Sequence, residues 1–304
     1  MHPKLGIYIS SSLNPYHNLA LEHALLMQVD KSEVWLYLWR NERTVVVGRN
    51  QNIYAEVNLD ALREIDGYPT RRLSGGGAVY HDVGNLNFTF LAQNECFDVR
   101  RQSDVVLNAI RSLGFNAEKS GRNDLTIEGR KFSGQSFYQA RERRFHNGTV
   151  LIATDRKVME RVLTPSSAKF IGKGVQSVRS RTVNLSELSS DITWENVQQA
   201  LIHSFEEEYR GSATVLSEID TRQLQENIFA NHDFIYNKVA DFTKTHELRT
   251  AEGACTLHLD VQHGIIRHIQ IFTDALDPDA IPILHESFDR YINKPLIDFD
   301  RDYA

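Results

Sequence analysis

A glycine-rich segment is the first part of the sequence whose residue types and spacing could do chemistry. Residues 71–87 read RRLSGGGAVYHDVGNLN. Consecutive glycines adopt positive φ angles easily, so their backbone N–H groups can converge on one anion. Arg71 and Arg72 can add bidentate charge for a phosphate or a carboxylate. The segment therefore predicts an anion site, with a glycine-rich hairpin turn as the plainer alternative.

A second segment, SGRNDLTIEGRKFSGQSFY at 120–138, offers oxygen ligands and a lysine. Asn123 and Asp124 could hold a divalent cation, or Asp124 could simply cap a turn. A lysine on a strand is usually solvated, but the small residues after Lys131 would let a ligand pass close by. Period-2 alternation predicts that Lys131 and Ser133 share one face. Lys131 is therefore a candidate pocket cation.

A third segment, SSAKFIGKGVQSVRSRTVNL at 166–185, is strongly basic within an acidic chain. Its cations are Lys169, Lys173, Arg179 and Arg181. It is either a basic surface loop or a flap that orders over an anionic ligand.

Common nucleotide and hydrolase fingerprints are absent from the sequence: there is no GxxxxGK[ST], GxGxxG, HExxH or GxSxG. Cys96 is the one possible nucleophile near the glycine segment. No His/Asp arrangement can be tied to it, so a buried or idle cysteine is the favoured interpretation. RERR at 141–144 is interpreted as a solvated hairpin end.

Short β-branched and aromatic runs predict the strands that must position these residues, at 4–10, 34–40, 44–48, 86–92 and 148–153. Asn14-Pro15 predicts the start of a helix over about 16–28. Further helices are expected after Asn58 and Ser103 and over 193–209 with Thr193 as its cap. Glu128-Gly129 predicts a hairpin turn.

The pattern restarts near residue 245 with a hairpin around His263-Gly264 and a helix after it. Strands and helices are interspersed without regular βαβ alternation. We therefore expect an α+β fold with a mixed sheet, divided into a catalytic domain at 1–244 and a small accessory domain at 245–304.

Composition favours a soluble cytoplasmic protein. The formal net charge of −6 gives no general attraction to nucleic acid or to an anionic membrane. The N-terminus lacks the pattern of a secretory signal, and no apolar run approaches the ~18 residues of a membrane span. The two cysteines follow no metal or redox spacing, which is consistent with a reducing compartment.

Taken together, the three segments resemble the lipoate–protein ligase A family. RRLSGGGAVYHDVGNLN, GRNDL…GRKFSGQ and KGVQSVRSRTVNL match its three motifs in order, and NLALEHAL and LWRNERTVVVGRNQN upstream are also similar. The likeness covers about residues 5–210. It implies a biotin/lipoate-ligase-type large domain joined to a small C-terminal domain.

The resemblance also implies a two-step reaction, in which ATP and lipoate give lipoyl-AMP and a lysine of an acceptor lipoyl domain then attacks it. Expected acceptors are 2-oxoacid dehydrogenase E2 subunits and the glycine-cleavage H protein, with a monomeric enzyme. The implied catalytic cation is Lys131, and the implied Mg²⁺ ligand is Asp124. The implied nucleotide-binding residues are Arg72, Ser74, Gly75, Gly76, Gly77, Ala78, Val79, Tyr80, Asn123, Lys131, Lys173 and Arg179. The implied lipoate-binding residues are Leu19, Val46, Arg71, Gly76, His81 and Lys131.

The chain departs from the family pattern at 232–242, where HDFIYNKVADF lacks the expected tryptophans, glycine and proline. Two rival functions remain: a lipoyl- or octanoyltransferase that takes preactivated acyl groups, and a non-catalytic lipoate- or nucleotide-binding protein on the same scaffold.

Overall fold

The computed structural model describes residues 2–121, 123–164, 182–217, 219, 226–236 and 244–303. The strands are β1 Lys4–Ile9, β2 Glu33–Trp39, β3 Thr44–Val47, β4 Tyr68–Arg71, β5 Val79–His81, β6 Asn85–Gln93, β7 Ala117–Ser120, β8 Asp124–Ile127, β9 Arg130–Ala140, β10 Arg143–Leu151, β11 Ala213–Val215, β12 Lys244–Arg249, β13 Ala254–Gln262 and β14 Ile265–Thr273. The α-helices are α1 Pro15–Gln28, α2 Ile53–Glu56, α3 Leu59–Arg63, α4 Val99–Ser112, α5 Arg156–Val162, α6 Trp194–Tyr209, α7 Glu226–Phe229, α8 His232–Tyr236, α9 Ala280–Asp289 and α10 Leu296–Tyr303.

An eight-stranded mixed sheet in the order β11-β1-β2-β6-β10-β9-β8-β7 forms the frame of the large unit. β1 pairs in parallel with β2 and β11, and the other neighbouring strands are antiparallel. Both faces are buried, because alternate residues of β2 enter two different apolar clusters, one containing α4 and α6 and the other α1.

A small sheet in the order β4-β3-β5 carries the glycine segment, which lies between β4 and β5. In the C-terminal unit, β12, β13 and β14 form an antiparallel sheet, and α9 and α10 contribute to its own apolar cluster. The expected α+β class with a mixed sheet and a small C-terminal unit is confirmed. The boundary at 244/245 stays a prediction, since residues 237–243 lie outside the described residues.

Local signals placed several elements correctly. The Asn14 side chain caps α1 with Pro15 at its first position, and Thr193 caps α6. Both predicted two-residue turns have positive φ at both positions: 52° and 73° at Glu128-Gly129, 51° and 75° at His263-Gly264. This is the geometry that matches the twist of a hairpin.

The predicted start of a helix at Ser103 is wrong. α4 begins at Val99, and the Asp98 side chain accepts a hydrogen bond from the Arg101 N–H. Ser103 is buried inside the helix, and its hydroxyl donates to Gln135 Oε1 at 3.4 Å. Aspartate is as good an N-cap as serine, and the apolar positions extend back to Val99.

Candidate active site

A cavity of about 120 Å³ lies between the glycine segment and the strands β6, β9 and β10 of the large sheet. Its wall combines apolar, amide, hydroxyl and cationic side chains. The lining residues are Leu19, Trp39, Val46, Arg72, Gly76, Gly77, Ala78, Val79, His81, Asn87, Asn123, Lys131, Gly134, Gln135, Ser136, Asn147, Gly148 and Thr149. Ten of them were predicted as site residues from the sequence: Leu19, Val46, Arg72, Gly76, Gly77, Ala78, Val79, His81, Asn123 and Lys131.

Gly75 and Gly76 leave no room for a side chain, for two different reasons. A Cβ on Gly75 would lie 2.1 Å from the carbonyl oxygen of Ala275, in the C-terminal unit. The same oxygen accepts a hydrogen bond from the Gly76 N–H at 3.0 Å. Gly76 itself has a φ of 89°, and a Cβ there would lie 2.9 Å from Arg72 Nη2. Gly75 therefore makes room for the C-terminal unit, whereas Gly76 makes room for Arg72.

Arg72 holds the glycine segment in shape from beneath. Its Nη2 donates to the carbonyls of Gly75 at 2.5 Å and Gly77 at 2.9 Å, and its Nη1 donates to Val46. Because the C=O and N–H of a trans peptide point in opposite directions, the Ala78 N–H is directed away from the guanidinium. Burial lowers the pKa of Arg72 to about 10, so the group stays charged at neutral pH.

Arg71 faces away from the cavity. Its buried guanidinium donates to the carbonyls of Gly48, Arg49 and Gln51 on one side and to those of Phe234 and Ile235 on the other. Every one of these bonds joins chain segments distant in sequence. We therefore assign Arg71 to stabilising the scaffold and drop it from the proposed lipoate-binding residues.

Part of the segment at 232–242, which departs from the family pattern, is bound by Arg71. Residues 232–236 form α8, and the carbonyls of Phe234 and Ile235 accept hydrogen bonds from the Arg71 guanidinium. Residues 237–242 lie outside the described residues.

Lys131 reaches the cavity because β9 has an extra residue. β8 pairs Leu125 with Ser133 but Thr126 with Lys131, so the register shifts at this point. The expectation that Lys131 and Ser133 share a face is wrong for that reason. A Cβ on Gly134 would lie 2.7 Å from Lys131 Nζ, which shows that Gly134 leaves the space for the ammonium group.

In the described structure Lys131 is paired with Asp124, at 2.7 Å between Nζ and Oδ1. Both side chains are about one third exposed, at 34% and 39%. An ion pair this exposed is worth only about 0–1 kcal/mol, so an incoming anion can displace it at little cost.

Three buried polar side chains on the cavity wall have an atom that finds no hydrogen-bond partner among the described residues: His81 Nε2, Asn87 Nδ2 and Gln135 Nε2. Asn41 contacts the other ring nitrogen of His81 at 3.3 Å. Burial lowers the pKa of His81 to about 3, with Arg72 adding to the effect, so the ring is neutral at physiological pH. The wall therefore offers uncharged polar groups beside the two cations.

Five predicted site residues do not line this cavity: Arg71, Ser74, Gly75, Tyr80 and Asp124. Ser74 lies beneath it, and Tyr80 packs in the apolar cluster of the small sheet. Two more, Lys173 and Arg179, lie outside the described residues, as does the basic segment except for its last residues.

Sequence reasoning missed the polar residues that β6 and β10 supply. Asn85, Asn87 and Thr89 alternate along β6, and Asn147 and Thr149 alternate along β10. The polar period-2 pattern along β6, a strand buried at every residue, was the available signal, because such groups must find partners.

No thiol lies in the cavity. Cys96 contacts the Lys31 carbonyl, and burial raises the pKa of its thiol. Cys255 belongs to the C-terminal cluster, where burial raises its pKa to about 12. Neither thiol is activated for attack on an acyl group.

Two family models match this chain. The lipoyl protein ligase A/B catalytic domain matches residues 14–206, and the bacterial lipoate protein ligase C-terminus matches residues 240–291. Proteins named lipoate-protein ligase A from Psychrobacter cryohalolentis and Bdellovibrio bacteriovorus are each 38% identical, over 93% of this chain and 87% of theirs.

Solved structures of lipoate ligases are also similar to this chain. The Plasmodium falciparum protein LipL1, solved in complex with lipoate, is 29% identical with a TM-score of 0.79, covering 96% of this chain and 90% of that one. A bipartite lipoate protein ligase from Thermoplasma acidophilum, solved in a study of that ligase and its E2 lipoyl domain, is 25% identical with a TM-score of 0.69, covering 80% and 100%.

The fold and both matched regions define a protein-modifying ligase, and the chain is an enzyme of this class. More narrowly, it belongs to the lipoate–protein ligase A family. The resemblance drawn from the three sequence motifs is thereby confirmed. Among the described residues, no helix is both long and apolar enough to cross a membrane.

Proposed function

We propose that this chain activates lipoate with ATP to lipoyl-AMP and pyrophosphate, and then transfers the lipoyl group to a lysine of an acceptor lipoyl domain. The observation that carries the proposal is one cavity in which an apolar wall from Leu19, Val46 and Val79 meets two cations, Arg72 and Lys131. The relative LipL1, solved in complex with lipoate, supports the choice of acid.

In the proposed chemistry the two cations differ in mobility: Arg72 is held in place, and Lys131 can move to the substrate. Attack of a carboxylate on the α-phosphorus brings two anions together, and a preorganised cation acts where charge develops in the transition state. Arg72 is locked by backbone carbonyls and shapes the segment that faces the phosphates. Among the described residues the ion-pair partner of Lys131 is the partly exposed Asp124, so Lys131 can turn from Asp124 to the carboxylate and the α-phosphate.

Mg²⁺ would be held by Asp124, beside Asn123. Among the described residues no cluster of three or more His, Cys, Asp or Glu side chains could hold a metal by itself. Mg²⁺ in nucleotide sites commonly takes one or two carboxylates and receives its other ligands from phosphates and water, which fits this donor set. When bound there it would screen the phosphate charge.

The acyltransferase alternative gains no support, because an acyl-carrier-dependent transfer needs an activated thiol and neither cysteine reaches the cavity. Family membership disfavours the non-catalytic alternative. As acceptors we propose E2 lipoyl domains and the glycine-cleavage H protein, and we propose a monomer that acts in the cytoplasm.

Lipoate-dependent exchange of pyrophosphate into ATP tests the first step, and mobility shift of an apo lipoyl domain tests the second. Lys131→Met should lower the exchange rate by about 10²–10³-fold, as loss of a preorganised charge donor commonly does. Lys157→Met, at an exposed lysine on α5, is the matched control and should exchange like the wild type. Wild-type enzyme that shows no lipoate-dependent exchange would refute the function. Full exchange in Lys131→Met would refute only the role of Lys131.

A further inference from the structure

A carboxylate lies fully buried beneath the cavity. Glu22, on α1, is 1% exposed, and its Oε1 accepts hydrogen bonds from Thr89 Oγ1 at 2.6 Å and Asn147 Nδ2 at 3.0 Å. A buried carboxylate without a matched partner is costly, so its surroundings normally reveal what it serves.

From Asn147 a continuous chain of hydrogen bonds leads to Arg72. Ser136 Oγ donates to Asn147 Oδ1 at 2.5 Å, so its only proton is used and Ser74 Oγ must donate to Ser136, across 2.8 Å. Arg72 Nε then donates to Ser74 Oγ at 3.1 Å. All four hydrogen bonds between the Arg72 guanidinium and the Glu22 carboxylate therefore have the same direction, with each donor on the Arg72 side and each acceptor on the Glu22 side.

A second, shorter chain ends on the same oxygen. Trp39 Nε1 donates to Thr89 Oγ1 at 3.3 Å, and Thr89 donates to Glu22. Trp39 and Arg72 both line the cavity, so one buried carboxylate anchors a ring and a cation of its wall.

We propose that Glu22 is a positioning residue, which orients Arg72 through Asn147, Ser136 and Ser74 and thereby holds the glycine segment in the shape that receives the anionic substrates. This inference rests on the proposed function and extends it to a residue that touches no substrate. Its consequence is that the first step depends on the charge of a side chain outside the cavity.

The titration of Glu22 makes this dependence measurable. Burial raises its pKa to about 7, although the bonds from Thr89 and Asn147 and the charge of Arg72 oppose the shift. Among the described residues, the other titratable groups facing this network are Arg71, which burial shifts to a pKa of about 10 and which therefore stays charged, Tyr37 and His81. The pKa of Tyr37 lies well above its ordinary value and that of His81 is lowered to about 3, so both stay neutral between pH 6 and 8.

The test compares the pH profile of kcat/KM for lipoate-dependent exchange in wild type, Glu22→Gln and Ser74→Ala. Wild type should gain activity between pH 6 and 8, and both variants should lack that gain and be roughly tenfold slower at pH 8, the size of one charge-assisted hydrogen bond. The double variant should be no slower than either single one. Ser204→Ala removes a buried hydroxyl bonded to the Val105 carbonyl, far from the chain, and should keep the wild-type profile. Titration of ATP itself is common to all five proteins and cancels in the comparison.

A wild-type pH profile in Glu22→Gln would overturn the inference. A gain between pH 6 and 8 that is lost in Glu22→Gln but kept in Ser74→Ala would also overturn it, because the hydrogen-bond chain through Ser74 would then carry no effect. Wild type without exchange would refute the proposed function instead. In that case calorimetry of ATP binding near pH 7 measures how many protons are taken up or released on binding. A number that differs between wild type and both variants supports the coupling of Glu22 to the site, and identical numbers overturn it.

Discussion

Replacing Gly75 by alanine separates two explanations of the glycine segment. The added Cβ would lie 2.1 Å from the Ala275 carbonyl oxygen, which belongs to the C-terminal unit. That is more than about 1 Å inside ordinary contact distance, and forcing an extra carbon into a packed site costs about 1–3 kcal/mol. Separating the two backbones also breaks the Gly76 N–H bond to Ala275, worth about 1 kcal/mol. We therefore expect Gly75→Ala to lose about 2–4 kcal/mol when no ligand is present.

Scanning calorimetry of the ligand-free protein measures this loss. A change of this size should lower the midpoint of the first unfolding transition by roughly 5–10 °C for a chain of this length. Gly211→Ala is the matched control, because its Cβ would meet only Leu5 side-chain atoms at 3.4 and 3.7 Å. A Gly75→Ala protein that melts like the wild type but no longer binds ATP would refute the reasoning, because Gly75 would then make room for the ligand and not for the C-terminal unit.

Four further predictions follow from single contacts. Arg71→Met leaves backbone carbonyls on two segments without their donor, so the free energy of unfolding in urea should fall by at least about 3 kcal/mol. Asp124→Asn should raise the Mg²⁺ concentration needed for half-maximal exchange, and an unchanged requirement would remove Asp124 as the metal ligand. Glu22 has a folded pKa near 7 against 4.5 when unfolded, so the folded state holds the proton longer and wild-type stability falls by up to about 3 kcal/mol as pH rises from 4.5 to 7. Glu22→Gln should flatten that slope in urea titrations, and a slope equal to that of the wild type would contradict the assignment. Cys96→Ser should transfer lipoyl groups at the wild-type rate, whereas loss of transfer would revive the thioester alternative.

Local signals predicted local structure well, because caps and two-residue turns depend on a few neighbouring residues. Asn14, Thr193 and the Glu128-Gly129 turn were read correctly for that reason. Lys131 was correctly expected in the pocket, but its expected shared face with Ser133 was wrong, because one bulged residue reverses the alternation of a strand and no composition rule marks the bulge. The contact between Gly75 and Ala275 joins positions 200 residues apart, so no local pattern could predict it.

Arg71 is the last residue of β4 and Arg72 follows it, and their side chains take different directions. Of the two arginines, Arg72 lines the cavity and Arg71 does not. Arg71 binds carbonyls that close the scaffold behind the site, including those of α8. The pair therefore combines two tasks that the sequence alone had merged into one anion site.

The two cavity cations differ in how tightly they are held, and this difference suits a two-step reaction. Arg72 is buried and bonded to three carbonyls and a serine, so turning it toward a ligand would leave those acceptors unpaired at a cost of about 1–3 kcal/mol each. Lys131 is one third exposed and can exchange an exposed carboxylate for another anion at little cost. In the proposed two-step reaction, Lys131 is therefore the group able to follow the carboxylate as it becomes an anhydride, while Arg72 keeps the glycine segment fixed.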